Sequence, residues 1–338
     1  MRPKALTPRF RNAAIGIALA LIPLFIAGPV QAQKVDKVPE KLKVSVEAGL
    51  NHLATMQNSK GCWAGSYGSN PGIVGLGILS FLARGEVPGE GRYGKVINKS
   101  INYILAQQKS NGLLSGSGSA MYSHGFATLA LAEVYGHGQT KDDRRIGRAL
   151  KSAVDLIINA QNQLGGWRYG VGGTSADITV TGCQMMALRA AANAGIPVPA
   201  KTIKRGAEYI RSLACGGGGF GYTSPSGPNV PRTGIGVLVL SLTGYYRSPE
   251  VKAGADYLLA RGFDSSWYYY ALYYCSQAMF QAGGRYWRDW NEANMMTLLG
   301  TQQSDGSWTG RGRGPAYSTI MALLSLELNW RLLPIYQR

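Results

Sequence analysis

An all-α fold, a closed (α/α)6 toroid of six helical hairpins with an inner and an outer ring, is predicted by three features of the sequence. The pattern Gln-x-x-x-Gly-x-Trp occurs at Gln57/Gly61/Trp63, Gln161/Gly165/Trp167 and Gln302/Gly306/Trp308, where chance allows about 0.04 matches. Each copy is preceded by a polar-faced helical segment and followed, after a glycine-rich loop, by a more apolar one. No segment shows a sustained alternation of period two bounded by hairpin turns. Six units that each bury one apolar face either stack openly or close on themselves. An open stack needs a polar outer face on its terminal repeat, but Tyr317, Ile320, Met321, Leu323, Leu324 and Leu326 make the last helix as apolar as the middle ones. Closure follows, with the apolar helices inside, the polar ones outside, and a cavity at the centre.

The units can be followed along the chain. The first runs from Glu40 to Ala83 around Gln57. The second, Gly94 to Tyr135, carries the degraded motif Gln108/Gly112/Leu114, which has lost its Trp. In the third, Ile146 to Ala160 places Leu150, Val154, Ile157 and Ile158 at helical spacing with Arg148, Lys151 and Asp155 elsewhere. Thr181 to Asn193 then carries Met185, Met186 and Leu188 with little charge. The fourth, Ala200 to Leu242, has Ala214/Gly218/Phe220, with Phe for Trp and no Gln. The fifth, Glu250 to Ala282, keeps only its helices near Gly262 and Trp267, and the sixth runs from Trp290 to Trp330 around Gln302. The Trp is a large apolar body that packs between units. The Gln amide reaches backbone groups at the loop and at the start of the next helix, whose first amides lack partners. The motif is structural.

Composition agrees. Of 338 residues, 45% are hydrophobic and 16% charged, which supports a sizeable core and excludes disorder. The 46 glycines show no three-residue period, which excludes collagen. Residues 1–32 read as a secretory signal: Arg2, Lys4, Arg9 and Arg11, an apolar stretch from Ala13 to Ala27, and Val30-Gln31-Ala32 as a cleavage site. The remainder, 33–338, is expected to be one toroid domain of six repeats, exported to the periplasm or the extracellular space. Losing four cations takes the formal charge from +17 to about +13. Such a surface suits peripheral contact with an anionic membrane surface. Nucleic acid is not expected as a partner, because the basic residues are dispersed and the chain is exported. Cys62, Cys183, Cys215 and Cys275 show no CxxC spacing and are expected to be free or isolated thiols.

The Gln-x-x-x-Gly-x-Trp repeats resemble those of squalene and hopene cyclases and of protein prenyltransferase beta subunits, over nearly the whole mature chain. Met121 to Tyr135 and Asp177 to Leu188 resemble segments of secreted bacterial members of this prenyltransferase and squalene oxidase repeat superfamily, the terpenoid cyclase-like toroids. The resemblance implies the toroid fold and an isoprenoid type of ligand. It does not extend to the chemistry of the known enzymes. The Asp-x-Asp-Asp acid of class II cyclases is missing, and so is the Asp-x-Cys of the prenyltransferase zinc site. The Cys-Gly-Glu-Gln of thioester domains is missing as well. Whether the chain is an enzyme is left open, and neither a cofactor nor a metal is expected, the three histidines being His52, His124 and His137.

The inner helices run in one direction, so their N-termini gather at one mouth, where amides and dipoles favour an anion. Polar residues at those starts include Tyr122, Ser123 and His124; Asp177, Thr179 and Thr181; Arg232 and Thr233; Asp264, Ser265 and Ser266; and Tyr317, Ser318 and Thr319. The Ser, Thr and Asp among them read as helix caps. His124 and Asp177 stand at comparable places in successive units and are the catalytic candidates, as an acid–base pair; a capping Asp and a loop-bonded His are the alternative. Tyr122, Thr181, Gln184, Arg232, Tyr269, Tyr273 and Tyr317 are the candidates for ligand binding. Helical spacing puts Trp267, Tyr270 and Tyr274 on one face and Tyr269 and Tyr273 on another, and one face is expected to meet the cavity. The function expected is binding of an apolar, amphipathic or isoprenoid-type small molecule in the central cavity. A polysaccharide-active (α/α)6 enzyme is the first alternative, and it needs two facing carboxylates. A protein-interaction scaffold is the second.

The export expectation is checked by N-terminal sequencing of the protein secreted from a bacterial host. The expected first residue is Gln33, and intact Met1 in the cytoplasmic fraction counts against it.

Overall fold

The apolar runs between the glycine clusters fold as helices, several of them started by a short polar side chain or a proline. The computed structural model describes residues 38–65, 68–116, 118–136, 143–264, 267–310 and 314–337; the expected signal segment, 1–32, lies outside them. The outer helices are α1 (Glu40–Met56), α3 (Gly94–Ala106), α5 (Asp143–Asn159), α7 (Ala200–Ser212), α9 (Pro249–Arg261) and α11 (Gly284–Thr301). Alternating with them are the inner helices α2 (Pro71–Ala83), α4 (Ala120–Gly136), α6 (Ile178–Asn193), α8 (Val230–Leu240), α10 (Tyr268–Ala282) and α12 (Pro315–Leu326). Asn70, Asp177 and Asn229 cap α2, α6 and α8 by accepting hydrogen bonds from first-turn amides. The cap at Asp177 explains why α6 begins earlier than the apolar spacing alone predicts.

Outer and inner helices differ as expected. α5 buries Ile146, Leu150, Val154 and Ile157 and exposes Arg148 and Lys151, whereas α6 buries nearly every residue from Val180 to Leu188. Each inner helix packs against the next, and α12 packs against α1 and α2, so the ring is closed. The motif glutamines make this arrangement. Each donates its Nε2 hydrogens to its own glycine loop and to a carbonyl of the next outer helix: Gln57 to Val96 O (2.9 Å), Gln108 to Ala149 O (2.8 Å) and Gln161 to Thr202 O (2.9 Å). Gln302 reaches Ser45 O in α1 (2.8 Å) and joins the last unit to the first. The carboxamide thus serves carbonyls of the next outer helix rather than the free amides at its start.

The glycine four residues on is required twice over. Gly306 has φ +85°, and a Cβ there would lie 2.4 Å from Ala48 O of the adjoining helix. The aromatic that follows is a wedge. Trp63, Trp167 and Trp308 are buried, and their indole Nε1 donates to Leu53 O, Ile157 O and Leu298 O at 2.8 Å. A ring of this kind leaves no room for a side chain opposite it, and a Cβ at Gly77 would lie 2.4 Å from Trp63. All four cysteines are unpaired. No helix among the described residues is long and apolar enough to cross a membrane.

The C-terminal segment crosses the end of the ring where the inner helices finish. Leu333, Ile335 and Tyr336 are buried, Ile335 N donates to Glu133 Oε1 (3.2 Å), and Gln281 Nε2 donates to Tyr336 O (3.1 Å). Burial pushes the Glu133 carboxyl up from 4.5 to about 8, against the smaller pull of the Ile335 amide, and burial raises Glu327 well above its usual range. The native state therefore keeps protons that the unfolded carboxyls release above pH 4.5. The contribution of Glu133 to stability is full below that pH and is lost as pH rises through about 8. His124 acts in a lower window, between about 4 and 6.5, so the fall is expected cleanly above pH 6.5. The melting temperature of the wild type should drop between pH 6.5 and 8, and Glu133→Gln, whose amide oxygen still accepts from Ile335, should drop less. Parallel curves would count against this account.

Candidate functional site

A cavity of about 510 Å³ opens at the mouth where the inner helices begin, a size within the usual range for small-molecule sites. The caps and N-terminal prolines place its wall: Asn70 and Ile73 from α2, Pro231 and Arg232 from α8, and Tyr317 and Met321 from α12. Tyr122 and Phe126 come from α4 and Trp267 and Tyr270 from the start of α10, while Tyr169 and Tyr222 descend from the loops before α6 and α8. Tyr122 OH and Tyr270 OH are bonded at 2.6 Å and so tie α4 to α10 across the ring. Tyr169 and Tyr222 are likewise joined through their hydroxyls. Burial raises the titration of both Tyr122 and Tyr270 well above the usual phenol range, so both hydroxyls stay protonated.

Beneath Phe126 the ring is filled. Tyr273 and Tyr274 are buried, with ring centroids 6.0 and 6.4 Å from that of Phe126. At the rim, Arg168 lies over Tyr169 and Tyr222, and Arg232 lies over Tyr222 at 4.9 Å. Asn70, Ser119, Ser123, Thr179, Asn229 and Arg232 are the polar side chains of the wall. No carboxylate among the described residues lines it, and no group of three or more His, Cys, Asp or Glu side chains among them gathers as a metal site.

Of the ligand-binding candidates, Tyr122, Arg232 and Tyr317 stand in the wall. The others do not. Thr181 accepts from Trp167 N (3.1 Å), Gln184 donates to Met121 O (2.7 Å), Tyr269 donates to Thr309 O (3.2 Å), and Tyr273 packs under the floor. Of the two faces of the tyrosine-rich helix, it is the Trp267/Tyr270 face that meets the cavity. Ser265 and Ser266 lie outside the described residues.

The structure does not join His124 and Asp177. His124 is fully buried; its Nδ1 accepts from Leu114 N (3.0 Å), and its Nε2 faces Ala153 O (3.1 Å). It stands in the unit that has Leu114 for Trp and does there what threonine does in three others. Thr181, Thr233 and Thr319 accept from the backbone N–H of Trp167, Phe220 and Trp308. Burial lowers the imidazole to about 4. Asp177 caps α6, accepting from Thr179 N (2.8 Å) and Val180 N (3.0 Å), with Arg168 Nε at 3.7 Å from Oδ2. The reason is geometric: His124 is held by the backbone of its own loop and of the next outer helix, and Asp177 by the first turn of α6. Tyr169 and Tyr222 were not anticipated, although a signal exists, since each lies two residues after its motif aromatic, Trp167 and Phe220.

No family model matches the chain, and no curated protein matches it. Solved structures do resemble it. An inactive variant of the alpha-1,6-mannanase GH76A of Salegentibacter sp. HEL1_6, in complex with alpha-1,6-mannotriose, superposes with a TM-score of 0.66 at 9% identity, covering 86% of this chain and 99% of that one. The type II terpene cyclase MstE from Scytonema superposes with a TM-score of 0.59 at 14% identity over 87% of this chain and 100% of that one. A variant of MstE in complex with its substrate geranylgeranyl dihydroxybenzoate gives 0.59 at 13% identity, over 87% and 98%. At these identities the likeness establishes the fold alone, the (α/α)6 toroid.

The partners of His124 predict its titration. Followed by NMR, the ring should stay neutral down to about pH 4, and Asp177→Asn should leave that midpoint unmoved. A midpoint near 6.5, or a shift in the variant, would restore the pair.

Proposed function

We propose that this is an exported protein that binds a largely apolar, amphipathic small molecule of isoprenoid type in the mouth cavity. One observation carries the reading: the wall is built from seven aromatic side chains and three other apolar ones, Ile73, Pro231 and Met321, around a few polar groups, with no carboxylate among the described residues. Such a wall favours apolar surface, at roughly 25 cal/mol per Å² removed from water, and the aromatic faces also accept unsaturated or cationic groups. The toroid of MstE, which holds geranylgeranyl dihydroxybenzoate, supports a cavity of this kind as a place for a prenyl chain.

The same wall argues for binding without the chemistry of either neighbour. Protonating an alkene requires an acid in contact with it, and glycoside hydrolysis requires a pair of carboxyl groups flanking the bond. The buried carboxyls of Glu133 and Asp177 are both engaged by backbone amides, and neither belongs to the wall.

Sugar binding is the competing reading, because tyrosine and tryptophan faces stack on pyranose rings. Trp267, half exposed at the rim, offers the test. Its fluorescence should change on titration with a twenty-carbon isoprenoid alcohol, the change should disappear in Trp267→Phe, and alpha-1,6-mannotriose should have no effect. A response to mannotriose with none to the isoprenoid would replace this reading by the other.

A further inference from the structure

Arg232 is the only charged side chain in the cavity wall among the described residues. It stands in the first turn of α8, half-buried. One hydrogen bond, from Nη1 to Gly227 O (3.0 Å), and the face of Tyr222 at 4.9 Å hold the guanidinium in place. A guanidinium has five N–H donors in a fixed fork, so donors remain after that bond. The neighbouring cation differs. Arg168 has Asp177 at 3.7 Å, and elsewhere Arg211 pairs with Glu250 and Arg285 with Asp256. Arg232 makes no ion pair with any described carboxylate.

A half-exposed guanidinium at the edge of an aromatic cavity keeps N–H donors that an anion seated in the cavity can take. Nothing in the wall repels one, since no described carboxylate lines it. The N-terminus of α8 adds its positive end at the same point. A second observation concerns hydroxyls in the same wall. Ser123 lines it, is 1% exposed, and its hydroxyl has no hydrogen-bond partner; the hydroxyl of Ser119, in the same wall, is also without one. Buried hydroxyls left without partners are costly, at about 1–3 kcal/mol each. These two are neutral and sit at the α4 end of the wall, so the one group in the wall that suits a charge is Arg232.

We infer that the molecule taken by this cavity is an amphipathic anion, whose carboxylate or phosphate head is held by the guanidinium of Arg232 while its apolar body lies among the aromatic side chains of the wall. The inference rests on the lipid-binding reading above and sharpens it by naming the head group. A planar fork recognises either oxyanion in a bidentate manner, and the two are separated by experiment.

The test uses three molecules with one and the same twenty-carbon isoprenoid body, ending in an alcohol, a carboxylate or a monophosphate. Each is titrated calorimetrically below its micelle concentration into the wild type and into Arg232→Met, which keeps the length of the side chain and removes the charge. At least one anion should bind the wild type about 10- to 100-fold more tightly than the alcohol, as charge-assisted hydrogen bonds do. Arg232→Met should bring that anion to the affinity of the alcohol and leave the alcohol itself unchanged. The better of the two anions identifies the head. Equal affinity of all three for the wild type would overturn the inference, as would an equal loss for all three in the variant. Both results leave the apolar cavity standing. Failure of all three to bind the wild type would instead remove the lipid-binding reading and this inference with it. If Arg232→Met does not fold, the comparison of alcohol with anions in the wild type still decides.

Discussion

Gln302 reaches across the gap between the last outer helix and the first, and its hydrogen bond to Ser45 O makes a ring of what is otherwise a row of hairpins. The same bond repeats at Gln57, Gln108 and Gln161, always between helices about 40 residues apart. It holds the outer helices at a fixed offset, which leaves the motif aromatic one place to go, the wedge between outer and inner rings. A neutral amide satisfying buried carbonyls contributes on the order of 1 kcal/mol at each site. Its larger effect is on register, because an inner helix can slide only if the wedge beside it moves too. With register set, the inner helices all begin at one level, and their first turns form the cavity wall.

Much of this was legible in the sequence. A period in the glycines, a Trp at fixed spacing and an apolar last helix suffice to specify a closed toroid, because each reflects a constraint that acts locally and repeats. The site was less legible, and particular residues show why. Helical spacing separates Trp267, Tyr270 and Tyr274 from Tyr269 and Tyr273, but which face turns inward depends on the rotation of α10 about its axis. That rotation is decided by Phe126 and Tyr122 on α4, far away in sequence. Tyr169 and Tyr222 belong to loops, whose path no periodicity describes.

His124 illustrates a different difficulty. A histidine and an aspartate at matching positions of two successive repeats look like a designed pair. In a repeat protein, however, matching positions are by construction about one unit apart around the ring, and each is answered by the backbone beside it. The residue to compare with His124 is therefore the threonine at the same level in the other units. Seen that way, the imidazole is a longer acceptor for the same backbone amide, in the one unit whose motif ends in Leu114. Polar residues that recur in register across repeats are better explained by the repeat than by each other.

The two ends of the ring are unlike, and this shapes how a ligand travels. Phe126, Tyr273 and Tyr274 fill the middle, and the buried C-terminal segment lies across the far end, so the cavity is a cul-de-sac. A polymer cannot be threaded through it. Whatever enters must leave by the route it came, and the part that goes in first comes out last. A chain too long for about 510 Å³ keeps its remainder outside, beyond Tyr169 and Trp267, in contact with solvent.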